Sequence, residues 1–140
     1  MREIVPQLLW IGNARDARAI PDVLATGITA VIDLAAEEPP IQFPRDIIYC
    51  RFPILDGEGN VPEIINSAID VIVNLQSAQI PTLVACSTGM SRSPAVVSAV
   101  LAIIESIPLA AAIDRIAVAG PCDISPGIMH AIHECLADLK

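Results

Sequence analysis

A stretch in the second half of the chain decides the fold, because an apolar run passes through small polar residues into a second apolar segment. It reads Thr82-Leu83-Val84-Ala85-Cys86-Ser87-Thr88-Gly89-Met90-Ser91-Arg92-Ser93-Pro94. A short apolar run, a glycine-containing loop and a proline in the next first turn predict a buried strand, a tight loop and a helix start. The N–H groups of such a loop converge at the positive end of the helix, which favours a bound dianion. The stretch therefore predicts a strand–loop–helix unit with an anion site in its loop.

Several side chains of this loop carry the chemistry that an anion site at phosphorus needs. Arg92 supplies a planar guanidinium that can hold two phosphate oxygens at once, and Gly89 lets the backbone turn tightly. Cys86 lies where the helix start and the guanidinium favour the thiolate. A thiolate beside an oxyanion cradle is equipped for nucleophilic attack at phosphorus. A hydroxyl from Ser93 or Ser87 can donate to the sulfur and help it leave.

The rest of the chain alternates between segments that predict strands and segments that predict helices. The predicted strands are Glu3–Val5, Leu8–Ile11, Thr29–Leu34, Ile47–Ile54 and Thr82–Ala85. The predicted helices are Ala14–Ala25, Pro62–Ser77, Ser93–Glu105, Leu109–Ala119 and Pro126–Leu139. Gly27 stops the first helix, and Ser125 supplies the N-cap oxygen of the last. The alternation indicates one α/β domain over residues 1–140, with a central, mainly parallel sheet flanked by helices on both faces.

The composition limits the classes of protein to which the chain can belong. Of its 140 residues, 54% are apolar and 17% are charged, and the formal net charge is −8. So apolar a chain builds a core, which excludes disorder. The acidic balance argues against broad binding to nucleic acid, which requires a basic stripe. We therefore expect a globular domain whose partners do not include nucleic acid, although a short site can still be locally positive.

The apolar runs are too short for a membrane span, which needs ~20 consecutive apolar residues. The longest candidate, Pro94–Ile104, is about half that length. The N-terminus shows no long apolar core, so we expect no signal peptide. Four cysteines without a secretory signal are expected to be free thiols in a reducing compartment. These features predict a cytoplasmic protein without a membrane partner.

Two histidines and a cysteine near the C-terminus raise the question of a metal site. His130, His133 and Cys135 fall within one predicted helix. Only these candidate ligands cluster, and a zinc site draws its ligands from more than one segment. We interpret the two histidines as part of a solvated helix face and Cys135, like Cys50 and Cys122, as a core residue, and we expect neither a metal nor a cofactor.

The loop resembles the Cys-x5-Arg-Ser/Thr loop of the cysteine-based protein phosphatases, specifically that of the small, atypical dual-specificity class. The resemblance covers nearly the whole chain. The other segments that resemble this class are Leu9–Asn13, Gly27–Leu34, Phe52–Asp56 and Ile124–Gly127. In the last of them, Gly127 stands where the class has asparagine.

This resemblance implies a role for each residue of the site. Cys86 is the nucleophile and Arg92 clamps the phosphate, whereas assistance to the departing sulfur by Ser93 is inferred from the chemistry of the reaction alone. The loop backbone that binds the phosphate comprises Ser87, Thr88, Gly89, Met90, Ser91 and Arg92. Asp56 matches the mobile general acid that protonates the leaving oxygen and later acts as base toward water. Its loop is flanked by glycines, and Glu58 is the substitute candidate.

One residue departs from the family pattern. Ala85 stands where the family usually has histidine, which supports the loop and helps to keep the cysteine ionised. The departure implies that the Cys86 thiol ionises less readily than the corresponding thiol in family members with the histidine. Low turnover of substrate is therefore an alternative. Some family members also protect the nucleophile in a disulfide, and Cys50, Cys122 and Cys135 all remain open as partners.

Three functions are compatible with these observations. The main hypothesis is a phosphatase that hydrolyses phosphomonoesters through a phosphocysteine, acting on phosphotyrosine and phosphoserine or phosphothreonine in proteins, or on small phosphomonoesters. The alternative is a pseudophosphatase-like module that binds phosphorylated partners with weak or no turnover, which Ala85 encourages. A rhodanese-like sulfurtransferase is the third, but it gives Asp56 no role. The sequence does not indicate an oligomeric state.

Overall fold

We describe the fold from a computed structural model that covers residues 1–138. The strands are β1 (Arg2–Val5), β2 (Leu9–Gly12), β3 (Ala30–Ala35), β4 (Ile48–Ile54) and β5 (Thr82–Ala85). They form one sheet in the order β1-β2-β5-β3-β4. β1 pairs with β2 in antiparallel fashion, and all other pairs are parallel. The predicted mainly parallel sheet is therefore confirmed.

The helices are α1 (Ala14–Arg18), α2 (Ile20–Thr26), α3 (Pro62–Ser77), α4 (Arg92–Ile104), α5 (Leu109–Ala119) and α6 (Pro126–Ala137). Within residues 1–138, none of them combines the length and the apolar character needed to cross a bilayer. The predicted bounds of the helices Pro62–Ser77 and Leu109–Ala119 are confirmed. The predicted end of the last helix, Leu139, lies outside the described residues.

Two details of the predicted helices are wrong. The single helix Ala14–Ala25 is two helices that meet at Ala19, because Pro21 has no N–H to donate and its ring excludes the carbonyl four residues earlier. Gly27 does end α2, in the left-handed conformation. Ser125 occupies the N-cap position of α6 without a side-chain cap hydrogen bond.

Helices cover both faces of the sheet, as predicted. α1 and α2 pack on one face, over a small apolar cluster that includes Trp10 and Val31. α3 to α6 pack on the other face, over the larger cluster. The apolar face of α3 buries Ile65, Ile69 and Ile72, and full burial of such a side chain contributes about 1.5–3 kcal/mol.

The central strand β5 contributes side chains to both clusters. Leu83 and Ala85 enter the small cluster, whereas Val84 and Cys86 enter the large one. The ladder pairs Leu83 with a residue of β2 on one side and of β3 on the other. Ligands of parallel sheets bind beyond the carboxyl ends of the strands, which is where the loop after β5 lies.

The first turn of α6 packs against the turn that follows β4. A Cβ added at Gly127 would lie 2.6 Å from the carbonyl carbon of Gly57 and 2.7 Å from the nitrogen of Glu58. Both are backbone atoms, which cannot move aside as the end of a flexible side chain can. The absence of a side chain at position 127 therefore sets how closely this turn approaches α6.

We predict that Gly127→Ala destabilises the protein, although helices ordinarily prefer alanine to glycine by roughly 0.5–1 kcal/mol. Overpacking of this kind typically costs about 1–3 kcal/mol, which outweighs the gain in helix propensity. The midpoint of thermal unfolding should therefore fall. Ser67→Ala, at an exposed position of α3, is the control for propensity alone. An unchanged or raised midpoint for Gly127→Ala would contradict this account of the turn.

Candidate active site

The predicted nucleophile lies at the carboxyl end of β5. Cys86 is buried, and its Sγ accepts a hydrogen bond from the N–H of Gly89 at 3.2 Å. Gly89 has a φ of +74°, and a Cβ there would lie 3.0 Å from the carbonyl oxygen of Gly12. The loop needs glycine at this position both for its conformation and for its close approach to β2.

Donors outside the loop bind several of its carbonyl oxygens. The Ala14 N–H donates to the carbonyl of Ser87 at 3.1 Å, and the Asp123 N–H donates to the carbonyl of Met90 at 2.7 Å. The Arg2 guanidinium donates to the carbonyl of Gly89. In a trans peptide the C=O and the following N–H point in opposite directions. Because the carbonyls of Ser87, Gly89 and Met90 point toward these outside donors, the N–H groups of the following residues 88, 90 and 91 point away from them. In this structure the Met90 N–H donates to Thr88 Oγ1 at 3.2 Å.

The predicted phosphate clamp is buried and holds a carboxylate. The side chain of Arg92 donates from Nη1 and Nη2 to the two oxygens of Glu37 at 2.7 and 2.8 Å. Its Nη1 also donates to the carbonyl of Ile54 at 2.9 Å. The Ser87 hydroxyl lies 3.0 Å from carboxylate oxygens of both Glu37 and Glu38. The fork of the arginine is therefore occupied by an oxyanion from the chain itself.

The two charges of this pair reinforce each other. The hydrogen bond from Arg92 lowers the pKa of Glu37 to about 2. Conversely, the hydrogen bond to Glu37 raises the pKa of the guanidinium, and the charges of Cys86 and Asp56 act in the same direction. Thus the carboxylate is ionised at neutral pH, and the nucleophile and the predicted acid both lie within reach of the arginine's field.

The predicted general acid is bound to the phosphate-binding loop. Asp56 is exposed, and its Oδ1 accepts a hydrogen bond from the Ser91 hydroxyl at 2.6 Å. The same hydroxyl oxygen accepts from the N–H of Ser125 at 3.0 Å. The side chain of Asn60 closes the turn by binding the N–H and the carbonyl of Leu55, at 2.7 and 2.9 Å. Asp56 is thus brought to the rim of the loop.

The other predicted assistants occupy different places. Ser93 is buried, and its Oγ has no hydrogen-bond partner among the described residues. Glu58, the substitute acid, instead lines a cleft beside α6 together with His130 and Glu134. Asp56, in contrast, accepts a hydrogen bond from a residue of the phosphate-binding loop, so it is the better placed of the two carboxylates.

The described residues contain no group of three or more His, Cys, Asp or Glu side chains that could hold a metal ion. His130 is exposed and lies 3.1 Å from Glu134 on α6. Cys135 is buried, which raises the pKa of its thiol. Because His130 is exposed, the helix face that carries the histidines is solvated. All four cysteines are unbridged.

Two parts of the site were missed in the sequence. Glu37 carries no motif, and only its position just after β3 indicates that it lies at the same sheet edge as Cys86. Ser91 was assigned a backbone role only, whereas its hydroxyl joins Asp56 to the start of α6. No local pattern could have indicated that link, because its partners are distant in sequence.

Comparisons with known proteins identify the family of this chain. The family model described as "Dual specificity phosphatase, catalytic domain" matches residues 9–132. Dual specificity protein phosphatase PHS1 of Arabidopsis thaliana is 34% identical over 110 residues, which are 76% of this chain. The chain spans only about 12% of the length of that relative.

Solved structures share the fold over 99% of this chain. Human DUSP28 is 24% identical with a TM-score of 0.87, and 97% of its chain is covered. The human tyrosine phosphatase-like serine/threonine/tyrosine-interacting protein is 22% identical with a TM-score of 0.84, also over 97% of its chain. The family match covers well over half of the sequence, and the chain therefore belongs to the dual-specificity phosphatase family.

Proposed function

We propose that the protein hydrolyses phosphomonoesters through a phosphocysteine intermediate on Cys86. The observation that carries this proposal is the bidentate hydrogen bonding of Arg92 to the carboxylate of Glu37 beside the Cys86 loop. A carboxylate presents two oxygens to a guanidinium much as a phosphate does. Cys86, Arg92 and Asp56 thus supply a nucleophile, an anion clamp and a proton donor around one loop.

The reaction proceeds in two displacements. The Cys86 thiolate attacks phosphorus, forming an S–P bond while the bond to the ester oxygen breaks and protonated Asp56 gives its proton to that oxygen. Water then attacks the phosphocysteine, Asp56 takes a proton from it, and the S–P bond breaks to release phosphate and thiolate. The unpartnered hydroxyl of Ser93 is available to stabilise the leaving sulfur. The N–H groups of residues 87–92 bind the equatorial oxygens throughout.

The substrates in this proposal are phosphotyrosine and phosphoserine or phosphothreonine in proteins, or small phosphomonoesters. Asp56 lies on an exposed turn, and the carboxylates of Glu37 and Glu38 surround the Ser87 hydroxyl. Such a rim disfavours large polyanions by like-charge repulsion. A cytoplasmic location also belongs to the proposal, supported by the four unbridged thiols.

A pseudophosphatase-like binding module is the second candidate. It is favoured by Ala85, which leaves the residue before Cys86 without a polar group to support the thiolate. One structural neighbour is described by its name as phosphatase-like and as an interacting protein. Turnover, rather than fold or phosphate binding, distinguishes the two functions.

The first prediction from this proposed function concerns the nucleophile and the acid. Cys86→Ser should reduce hydrolysis of p-nitrophenyl phosphate to background, whereas Cys50→Ser, the matched control on β4, should not. Asp56→Asn should slow phosphotyrosine hydrolysis by about 10²–10⁴-fold, and p-nitrophenyl phosphate less, because p-nitrophenolate leaves without a proton. Phosphate binding without turnover in the parent protein would instead establish the binding module.

The second prediction concerns the carboxylate in the clamp. A substrate phosphate must displace Glu37 from Arg92, so Glu37→Gln should lower KM and tighten inhibition by inorganic vanadate. We expect a change of about twofold to tenfold, because the carboxylate is more than half exposed and its pairing is partly screened. Glu38→Gln is the matched control. Weaker vanadate inhibition in Glu37→Gln would mean that the carboxylate supports the clamp instead of competing for it.

The third prediction concerns Ala85. An imidazole at this position should shift the alkylation of Cys86 by iodoacetamide toward lower pH, because it adds a hydrogen-bonding group beside the loop. Ala85 is buried in the small apolar cluster, so Ala85→His should also lower stability, by about 1–3 kcal/mol. Alkylation rates across pH and thermal unfolding measure the two effects. Superimposable alkylation curves for parent and variant would refute the inferred effect of the alanine.

A further inference from the structure

Arg2 joins the outside of the phosphate-binding loop to the connection between α5 and α6. Its side chain extends from β1 and donates from Nη2 to the carbonyl of Gly89. Its Nη1 donates to the carbonyl of Pro121 at 2.6 Å. One guanidinium thus binds two carbonyl oxygens that are distant in sequence, each with a charge-assisted hydrogen bond.

This anchor differs in kind from the others on the loop. The carbonyls of Ser87 and Met90 are bound by backbone N–H groups, whereas that of Gly89 is bound by a side chain. A positive charge on a carbonyl oxygen also polarises its peptide group and makes the following N–H a stronger donor. The following N–H is that of Met90, one of the amides of the predicted phosphate cradle.

The second hydrogen bond of Arg2 acts on the next anchor. The connection that begins at Pro121 also supplies the Asp123 N–H, which binds the Met90 carbonyl at 2.7 Å. Arg2 therefore binds one loop carbonyl directly and braces the segment that binds the following one. The apex of the loop is glycine at a positive φ, which has no side chain of its own to fix it.

Gly120 makes room for this arrangement. A Cβ at position 120 would overlap the guanidinium of Arg2. The φ of Gly120 is 168° and its ψ is 175°, an extended conformation that any residue can adopt. The lack of a side chain at this position is thus explained by the guanidinium and not by the backbone. An alanine there offers a way to displace Arg2 without changing it.

We propose that Arg2 is a positioning residue for the phosphate-binding loop. It holds the Gly89–Met90 peptide so that the Met90 N–H, which donates to Thr88 Oγ1 at 3.2 Å in this structure, can turn to a phosphate oxygen when one binds. The proposal rests on the proposed function, because it assigns Arg2 to the loop that binds the phosphate. Arg2 acts from behind the loop and does not contact the substrate. Its loss weakens binding of the phosphoryl group without removing any atom of the cradle.

The test compares Arg2→Met, Arg2→Lys and Gly120→Ala with the parent, and with Arg45→Met as a control at an exposed arginine before β4. Binding of inorganic tungstate is measured by calorimetry well below the unfolding midpoint of each variant, alongside KM and kcat for p-nitrophenyl phosphate. Arg2→Met should weaken tungstate about tenfold, the loss expected for one charge-assisted hydrogen bond. Gly120→Ala should weaken it in the same direction, Arg2→Lys should restore part of the affinity, and Arg45→Met should match the parent.

The outcomes separate this proposal from the function on which it rests. A lower unfolding midpoint with unchanged tungstate affinity in Arg2→Met would reduce Arg2 to a structural residue and overturn the proposal alone. The role of Arg2 is equally overturned if Arg45→Met weakens tungstate as much as Arg2→Met does. Failure of the parent to bind tungstate would overturn both the proposed function and the role of Arg2. A rise in KM that Arg2→Lys partly reverses supports the proposal.

Discussion

The conformation of the Cys86–Arg92 loop depends on the hydrogen bonds that its carbonyl oxygens accept from residues outside the loop. A loop whose N–H groups face one point brings partial positive charges together, so the conformation must be restrained by its surroundings. Here the restraint comes from the start of α1 and from the connection before α6, through Ala14 and Asp123. Elements that are distant in sequence therefore fix the conformation of the loop. The sheet and its two helical layers hold these elements in position around it.

The guanidinium of Arg92 imposes a second constraint. Its side chain is only 4% exposed, and a buried charge without a partner is costly. Glu37 and the carbonyl of Ile54 satisfy most of its donors, but its Nε has no partner among the described residues. The pair with Glu37 therefore offsets most of the cost of burying this charge.

Local signals in the sequence predicted most of the fold. α3 begins at Pro62 and ends at Ser77 as predicted, because proline starts it and isoleucines at helical spacing bury one face. The helix predicted over 14–25 is wrong because Pro21 interrupts the alanine-rich segment and starts a second helix. Ser125 takes the expected N-cap position, yet its N–H binds Ser91 and its hydroxyl caps nothing.

The site was predictable only where its residues lie within one motif. The Cys86–Arg92 loop could be predicted because the strand, the glycine and the helix start are contiguous in the sequence. The partners of Arg92 and Ser91 are 55 and 35 residues away, and the arginine on Gly89 is 87 residues away. Such contacts follow from strand order and side-chain reach, which a single sequence does not specify. Asp56 was placed near the loop by resemblance to the family and not by spacing.

The strand order also constrains how the protein assembles. The first 54 residues supply two separate pairs, β1 with β2 and β3 with β4, and no ladder joins one pair to the other. β5 inserts between them, so both interior ladders of the sheet form only when residues 82–85 arrive. Non-local pairing of this kind is slow, because loop-closure entropy is lost before the contacts form. Closure of the sheet and delivery of Cys86 to its position are consequently the same folding event, so a chain with an open sheet has no assembled Cys86 loop.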